Sequence, residues 1–171
     1  MLAALPQIVA AVPGAVLHVV GPCDARYFRD TLTPKLAQLG VEASVRFHGY
    51  QPPEAIAERL STATVVALPT LMDTAPNVLA EARAAGVPVV ASSVGGVPEL
   101  IDHEVDGRLV PAGSVDALAS AIAGVMRDPA HARALSAAGR ARAERDHRLA
   151  TQAPRLVDVY RDVAGAGCLS R

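Results

Sequence analysis

The chain has 171 residues, of which 51% are hydrophobic and 19% are charged, values typical of one folded soluble domain. A net charge of −1 and an aromatic content of 3% without tryptophan argue against binding to nucleic acid or to an anionic membrane surface. Cys23 and Cys168 lie far apart and outside any CxxC pair, so we expect free thiols in a reducing cytoplasm.

The first 23 residues contain no Asp, Glu, Lys or Arg, which raises the alternatives of a signal peptide or a membrane span. No basic segment precedes the apolar run, and Pro6 and Pro13-Gly14 interrupt it. We therefore expect a helix over Leu2–Val12, a turn, and a buried strand over Ala15–Val20 that stops at Gly21-Pro22.

Helical and strand patterns then alternate, which indicates an α/β fold with a parallel sheet. The predicted elements are, in chain order, helix Tyr27–Leu39, strand Ser44–His48, helix Pro52–Ser61, strand Thr64–Leu68, helix Pro76–Ala85, strand Val87–Ala91, a flexible loop over Ser92–Pro98 and strand Arg108–Val110. From Ser114 the pattern is helical, with breaks near Asp128-Pro129 and His147, and the last helix covers about Leu149–Val163. We expect one domain over residues 1–171, with a disordered tail at 165–171.

The segment that follows strand Thr64–Leu68 contains two acids and two loops, and each loop leaves the carboxyl end of a strand. Ligands of open α/β sheets bind at these ends, so we expect both loops to face one crevice. A proline suits the first helical position there and leaves the amides of Asn77 and Val78 free to bind an anion. Asp73 and Glu81 can each accept hydrogen bonds from a vicinal diol. The alternative is an ordinary helix opening with a glutamate that faces solvent.

Several motifs follow one another in a fixed order. They are Val20-Gly21-Pro22, Val45-Arg46-Phe47-His48-Gly49-Tyr50, Asp73 and Glu81 separated by seven residues, Ala82-Arg83-Ala84-Ala85-Gly86, Val87-Pro88-Val89-Val90, Gly95-Gly96-Val97-Pro98-Glu99-Leu100, Asp106-Gly107-Arg108-Leu109-Val110-Pro111 and Ser114-Val115-Asp116-Ala117-Leu118. This order resembles that of the retaining family-4 glycosyltransferases of the GT-B fold, over about residues 2–163. The resemblance implies a Rossmann-like three-layer α/β/α fold with a parallel sheet of about five strands, the C-terminal half of a GT-B fold.

The same resemblance implies a hexosyltransferase that uses a nucleoside diphosphate sugar, with UDP and GDP both open. Asp73 would be catalytic and contact the transferred sugar, and Glu81 would bind the ribose hydroxyls. The other residues expected to bind substrate are Thr74, Ala75, Pro76, Asn77 and Val78 at the sugar and diphosphate, Gly21 and Pro22 at the diphosphate, His48 and Tyr50 near the base, and Gly95 and Gly96 as a wall of the site. For His48 a position at the sheet edge outside the site is the alternative, and for Gly95-Gly96 it is a simple turn.

We expect no cofactor and no metal, because GT-B enzymes in general need none. Asp102, His103, Glu104 and Asp106 form a polar turn that could be mistaken for a metal cluster. His18 lies in a strand predicted to be buried, so we expect a core residue with satisfied hydrogen bonds.

Two departures from the family pattern affect function. The first acid is usually glutamate and is here Asp73, and Ala75-Pro76 stand where the family often has an aromatic residue and a glycine. The family's domain begins with one more strand and a loop carrying an arginine and a lysine, whereas this chain starts at the following helix. We therefore expect the chain alone, without an acceptor-binding domain, to be inactive in transfer.

A cytoplasmic protein is expected, with membrane association only through that other half. The alternative function is a non-catalytic nucleotide-sugar-binding or interaction module. A Rossmann oxidoreductase is excluded because Gly21-Pro22-Cys23-Asp24 lacks the G-x-G-x-x-G pattern.

Overall fold

The structure is a computed structural model and describes residues 1–167. The strands are β1 (Leu17–Val19), β2 (Val45–Phe47), β3 (Val66–Leu68), β4 (Val89–Ser92) and β5 (Arg108–Val110). The α-helices are α1 (Leu5–Ala11), α2 (Ala25–Tyr27), α3 (Thr33–Leu39), α4 (Pro53–Thr62), α5 (Asn77–Ala84), α6 (Val97–Leu100), α7 (Val115–Arg127), α8 (Pro129–Asp146) and α9 (Leu149–Gly167). Shorter 3₁₀ turns occupy Leu2–Ala4 and Glu42–Ser44, and a π-helical segment occupies Phe28–Leu32. The predicted order of helices and strands agrees with this structure except at α6, which was not predicted.

Local capping signals set several helix boundaries where the sequence predicts them. Gly40 ends α3 with a φ of 66°, in the left-handed region where a side chain would be strained. The Ser114 hydroxyl accepts a hydrogen bond from the amide of Ala117 at 3.3 Å and opens α7. The loop predicted over Ser92–Pro98 is shorter than expected, because α6 begins at the fully buried Val97.

Alternate residues of β4 face two separate apolar clusters. Val90 packs into a cluster formed mainly by α1, α3 and α7, whereas Val89 and Ala91 pack into one formed by α5, α6 and the neighbouring strands. All three side chains are fully buried, as expected for a parallel strand covered by helices on both faces. The three-layer α/β/α architecture predicted from the sequence is therefore confirmed.

The five predicted strands are present and parallel, but hydrogen bonds divide them into two sheets rather than one. In the first sheet β1 pairs with β2, with Leu17 opposite Val45. In the second sheet β3, β4 and β5 pair in that order. Within residues 1–167, β1 and β3 do not pair with each other, and a cleft of about 520 Å³ lies between them. The single five-stranded sheet predicted from the sequence is therefore divided at this cleft into sheets of two and three strands.

The apolar side of α9 packs on little of the described chain. The apolar residues on that side are all exposed: Leu156, Val157, Val159, Tyr160 and Val163. Cys23 is an exposed free cysteine, and Cys168 lies outside the described residues, as do the last four positions of the predicted tail 165–171. No helix within residues 1–167 has the length and apolar character needed to cross a membrane.

Candidate functional site

The loop after β3 leads into α5 and carries the first acid of the predicted site. The Thr70 hydroxyl holds this loop, since it donates to the Met72 carbonyl at 2.9 Å and accepts from the Met72 amide at 3.3 Å. Pro76 has an extended ψ of 114° and is the N-cap residue, so α5 begins at Asn77 rather than at the proline. The amides of Asn77 and Val78 belong to the first helical turn, which offers no acceptor of its own. They remain available to an anion.

The glycine-rich loop after β4 lies directly on the loop after β3. The Gly96 amide donates a hydrogen bond to the Asp73 carbonyl at 3.2 Å. A Cβ atom on Gly95 would lie 2.0 Å from the Asp73 carbonyl oxygen, and one on Gly96 would lie 2.0 Å from the Thr74 carbonyl oxygen. Only glycine permits this approach, and the two loops therefore form one continuous wall at the carboxyl ends of β3 and β4.

Glu81 lies on α5 one turn beyond Asn77, because residues four apart share a helix face. Its side chain is exposed, whereas Asp73 is half-buried in the loop. Asp73 therefore lies in the loop that leads into the first turn of α5, and Glu81 lies one turn further along the helix. Such an arrangement can bind a phosphate at the amides and hydroxyl groups at the carboxylates.

A buried ion-pair network holds α5 in place from its opposite side. The side chain of Arg83 is only 2% exposed, and its guanidinium donates to the carbonyls of Leu79 and Leu100. Its Nη1 also lies 3.5 Å from the Asp106 carboxylate, which is 3% exposed. Burial lowers the pKa of Arg83, and the charge of Asp106 partly offsets this effect. These contacts fix the direction in which α5 presents Glu81.

The polar turn before β5, formed by Asp102, His103, Glu104 and Asp106, is held by ion pairs and by hydrogen bonds within the turn. Asp106 accepts from the Asp102 amide at 2.8 Å and from Arg142 at 2.9 Å. Glu104 pairs with Arg108 at 2.7 Å and with His131 at 3.1 Å. Among residues 1–167, no group of three or more His, Cys, Asp or Glu side chains is arranged to hold a metal ion.

Sequence reasoning missed Arg83, although its spacing contains a signal. Leu79, Ala82 and Arg83 are the three buried residues of α5, and they stand at the i, i+3 and i+4 spacing of a buried helix face. An arginine on such a stripe needs a carboxylate partner, which points to an acid elsewhere in the chain.

The predicted diphosphate and base residues lie on the other sheet, where β1 and β2 end. The Gly21 amide donates to the Gly49 carbonyl at 2.9 Å, and the His48 amide donates to the Val19 carbonyl at 2.9 Å. These bonds bring Gly21-Pro22 beside His48 and the exposed Tyr50. The turn after β1 and the loop after β2 therefore share one edge.

His18 is not the buried core residue expected from the sequence. It is exposed, and its ring stacks on that of His48, with 5.1 Å between centroids and Nδ1 of His18 2.9 Å from Nε2 of His48. Burial lowers the pKa of His48, and electrostatic repulsion from the nearby Arg59 and from the ring of His18 adds to this effect. The reason for the exposure is the cleft beside β1, which leaves this strand without a second neighbour.

Comparisons with known proteins give consistent matches. A family model described as "Glycosyl transferases group 1" matches residues 1–142. The chain is 33% identical over 171 residues to the D-inositol 3-phosphate glycosyltransferase of Segniliparus rotundus, which covers 99% of this chain and 38% of that protein. It is 34% identical over 168 residues to the GDP-mannose-dependent alpha-(1-6)-phosphatidylinositol monomannoside mannosyltransferase of Mycobacterium tuberculosis, covering 94% of this chain and 43% of that protein. The chain thus spans about two fifths of the length of these relatives.

A similar solved structure is that of Anabaena HepE in complex with UDP. It superposes with a TM-score of 0.85 at 25% identity, and the match covers 94% of this chain and 44% of HepE.

Proposed function

Because the chain belongs to the glycosyl transferases group 1 family, we propose that it is the donor-binding half of a retaining glycosyltransferase. Its fold is that of the GT-B enzymes among its structural neighbours. The reaction transfers a sugar, of hexose type, from a nucleoside diphosphate sugar to an acceptor. The observation that carries this proposal is the backbone contact between Gly95-Gly96 and Asp73-Thr74 at the start of α5. This contact brings the glycine-rich loop against the loop that carries Asp73 and leads into α5.

The proposed roles follow the chemistry of each group. The amides of Asn77 and Val78 bind a phosphate or a sugar hydroxyl, because they are the unpaired donors at a positive helix end. Glu81 accepts hydrogen bonds from the two ribose hydroxyls, and Asp73 accepts them from the transferred sugar. The backbone of Thr74 to Pro76 completes the sugar site.

The second edge supplies the rest of the nucleotide site. Gly21 and Pro22 border the diphosphate there, and His48 and Tyr50 border the base. HepE binds UDP, and the mycobacterial mannosyltransferase depends on GDP-mannose, so both bases remain candidates.

The first experiment separates the two acids by calorimetry. The wild-type chain is titrated with UDP, UDP-glucose, GDP and GDP-mannose in the presence of excess chelator, and the best-binding pair is kept. Glu81→Gln should weaken the plain nucleotide and its sugar conjugate by a similar factor, about 10- to 150-fold for a charge-assisted contact. Asp73→Asn should weaken the sugar conjugate and leave the plain nucleotide nearly unchanged.

Glu58→Gln is the matched control, because Glu58 is an exposed acid on α4 and belongs to neither loop of this wall. If Asp73→Asn weakened the binding of the plain nucleotide and of its sugar conjugate by the same factor, the division of roles would be wrong. Absence of binding by the wild-type chain to all four ligands would contradict the donor-binding proposal itself.

We also propose that the chain alone does not transfer sugar. Loss of a positioned acceptor alone can cost roughly 7–11 kcal/mol of the barrier reduction. The assay incubates the purified chain with its best-binding donor and a broad acceptor panel. Sugar transfer to an acceptor by this polypeptide alone would refute the proposal, because it would show that the chain is a complete enzyme.

A further inference from the structure

We propose that His18 is a positioning residue for the nucleotide site, because it holds the ring of His48 in one orientation and one tautomer and so makes base binding depend on the protonation of this pair. The inference rests on the proposed function, in which His48 borders the base. It adds a residue of β1 that acts through a neighbouring side chain and does not itself contact the ligand.

The register of the first sheet places the two histidines on one face. His18 lies opposite Arg46, and His48 follows two residues later, so the three side chains point to the same side of the sheet. The adjacent Val19 packs against the apolar cluster of α1, α3 and α7, which directs His18 to the opposite face. There His18 lines the cleft together with Arg59 of α4. Strand alternation thus brings a ring of β1 to the ring that opens the base-side loop.

The two rings are joined by a short hydrogen bond. Nδ1 of His18 lies 2.9 Å from Nε2 of His48, and the ring planes differ by 3°. The ring centroids are 5.1 Å apart, farther than these two nitrogens, so the edges that carry the nitrogens face each other. A neutral imidazole has one donor and one acceptor nitrogen. One ring therefore donates, the other accepts, and each is fixed in a single tautomer.

The side-chain bond lies beside the backbone bonds that join the two halves of this edge. The His48 amide donates to the Val19 carbonyl and the Gly21 amide donates to the Gly49 carbonyl, both at 2.9 Å. The bond to His18 therefore fixes the ring of a residue whose backbone is already held. It occupies Nε2 of His48 and leaves Nδ1, which has no partner among the described residues, for the ligand.

The charges around His48 favour its neutral form. Burial lowers its pKa, repulsion from Arg59 and from the ring of His18 adds to this effect, and no carboxylate of residues 1–167 opposes it. Arg46 lies on the same face, but its guanidinium donates to backbone carbonyls at the start of β2. His48 is therefore neutral at pH 7 and keeps one acceptor nitrogen. If both rings were protonated, neither nitrogen could accept and the bond would be lost.

A purely structural role of His18 predicts a different behaviour. Its side chain is exposed, so its hydrogen bond contributes little to the stability of the fold. Replacing His18 should therefore leave Tm nearly unchanged and alter both the affinity for nucleotide and the pH at which that affinity declines. A structural role would lower Tm and leave the pH profile of binding as it is.

The first measurement uses the 171-residue chain without nucleotide. Nitrogen-15 NMR spectra of the imidazole rings, recorded from about pH 8 to about pH 5, report the tautomer and the titration of each of the five histidines. His48 should show one tautomer in the wild type and a mixture in His18→Val. In that variant its pKa should rise toward the ordinary value of about 6.5. A tautomer mixture at His48 in the wild-type chain would overturn the proposal.

The second measurement is calorimetry with the best-binding nucleotide over the same pH range. At pH 8, His18→Val should weaken binding about 3- to 10-fold, the effect of one lost hydrogen bond. His18→Asn should restore the affinity, because its side-chain amide can donate or accept at the position of Nδ1. Wild-type affinity should be constant above the lowered pKa of His48 and fall about tenfold per pH unit below it, since the ligand binds the neutral ring. In His18→Val this decline should begin at a higher pH.

Arg59→Met is the matched variant for charge alone, since it removes the arginine charge that acts on His48 and keeps the bond between the rings. It should move the decline to higher pH and leave the affinity at pH 8 unchanged. Affinity that rises as pH falls would show that the charged ring binds the ligand, and would overturn the proposal. Nucleotide binding with the wild-type affinity and pH profile in His18→Val would contradict this inference alone, whereas a chain that binds no nucleotide would contradict the proposed function on which it rests.

Discussion

The contact between the two loops at the start of α5 predicts that adding one methyl group at Gly96 disrupts sugar binding. Gly96 has φ −85° and ψ −2°, which alanine adopts without strain, so the effect is purely steric. The new Cβ would lie 2.0 Å from the Thr74 carbonyl oxygen, and real Cβ contacts are essentially never below 3.0 Å. The loop must therefore move by about 1 Å. A displacement of this size in a positioned site costs about 100-fold in rate.

We expect Gly96→Ala to bind the nucleotide sugar about 10- to 100-fold more weakly, with a smaller loss for the plain nucleotide. Overpacking costs about 1–3 kcal/mol, so the melting temperature should fall by about 2–12 °C for a chain of this size. Calorimetry measures the first effect and thermal unfolding the second. Gly165→Ala is the control, since a Cβ there meets nothing within 4 Å. Wild-type sugar affinity in a Gly96→Ala protein that is measurably destabilised would show that this wall is no part of the site.

Two further predictions concern stability. Asp106→Ala leaves Arg83 buried without its carboxylate and should lower the free energy of unfolding by about 3–5 kcal/mol. The double variant Arg83→Met/Asp106→Leu removes both charges and should lose less stability. Equal losses in urea denaturation would contradict a paired role. At the start of α8, Asp128 accepts hydrogen bonds from the amides of His131 and Ala130, which lower its pKa. Its stabilising effect should be full above the ordinary aspartate pKa and disappear as pH falls through the lowered value, so the stability difference between wild type and Asp128→Ala should shrink from pH 6 toward pH 3.

The sequence predicted the features that depend on local signals. Gly40 and Ser114 set helix ends through backbone conformation and a single short hydrogen bond, and both can be recognised from a few neighbouring residues. The convergence of the loops at Asp73 and Gly96 was also expected, since it follows from the rule that parallel strands place their carboxyl ends at one edge.

The split of the sheet could not be predicted in this way. The apolar run in β3 indicates that the strand is suited to burial on both faces, but the pattern contains no information about which strand lies beside it. The exposure of His18 could not be predicted for the same reason, because a strand without its second neighbour has one open edge.

The pairing of Arg83 with Asp106 was missed for a different reason. The two residues are brought together by the packing of α5 against the turn before β5, and a charged residue is by default assigned to the surface.

The open cleft and the divided site belong to one argument. The proposed sugar residues Asp73 and Glu81 are on the β3–β4 side of the cleft, and the proposed base and diphosphate residues Gly21 and His48 are on the β1–β2 side. A nucleotide sugar that contacts both sides must hold the two sheets at a fixed separation. We therefore expect its binding to slow hydrogen exchange at the backbone amides of β1 and β3 that face the cleft. Exchange at single amides, with and without a saturating concentration of the best-binding nucleotide sugar, measures this effect. Binding of the nucleotide sugar with unchanged exchange at both strands would show that the ligand does not bridge the two sheets.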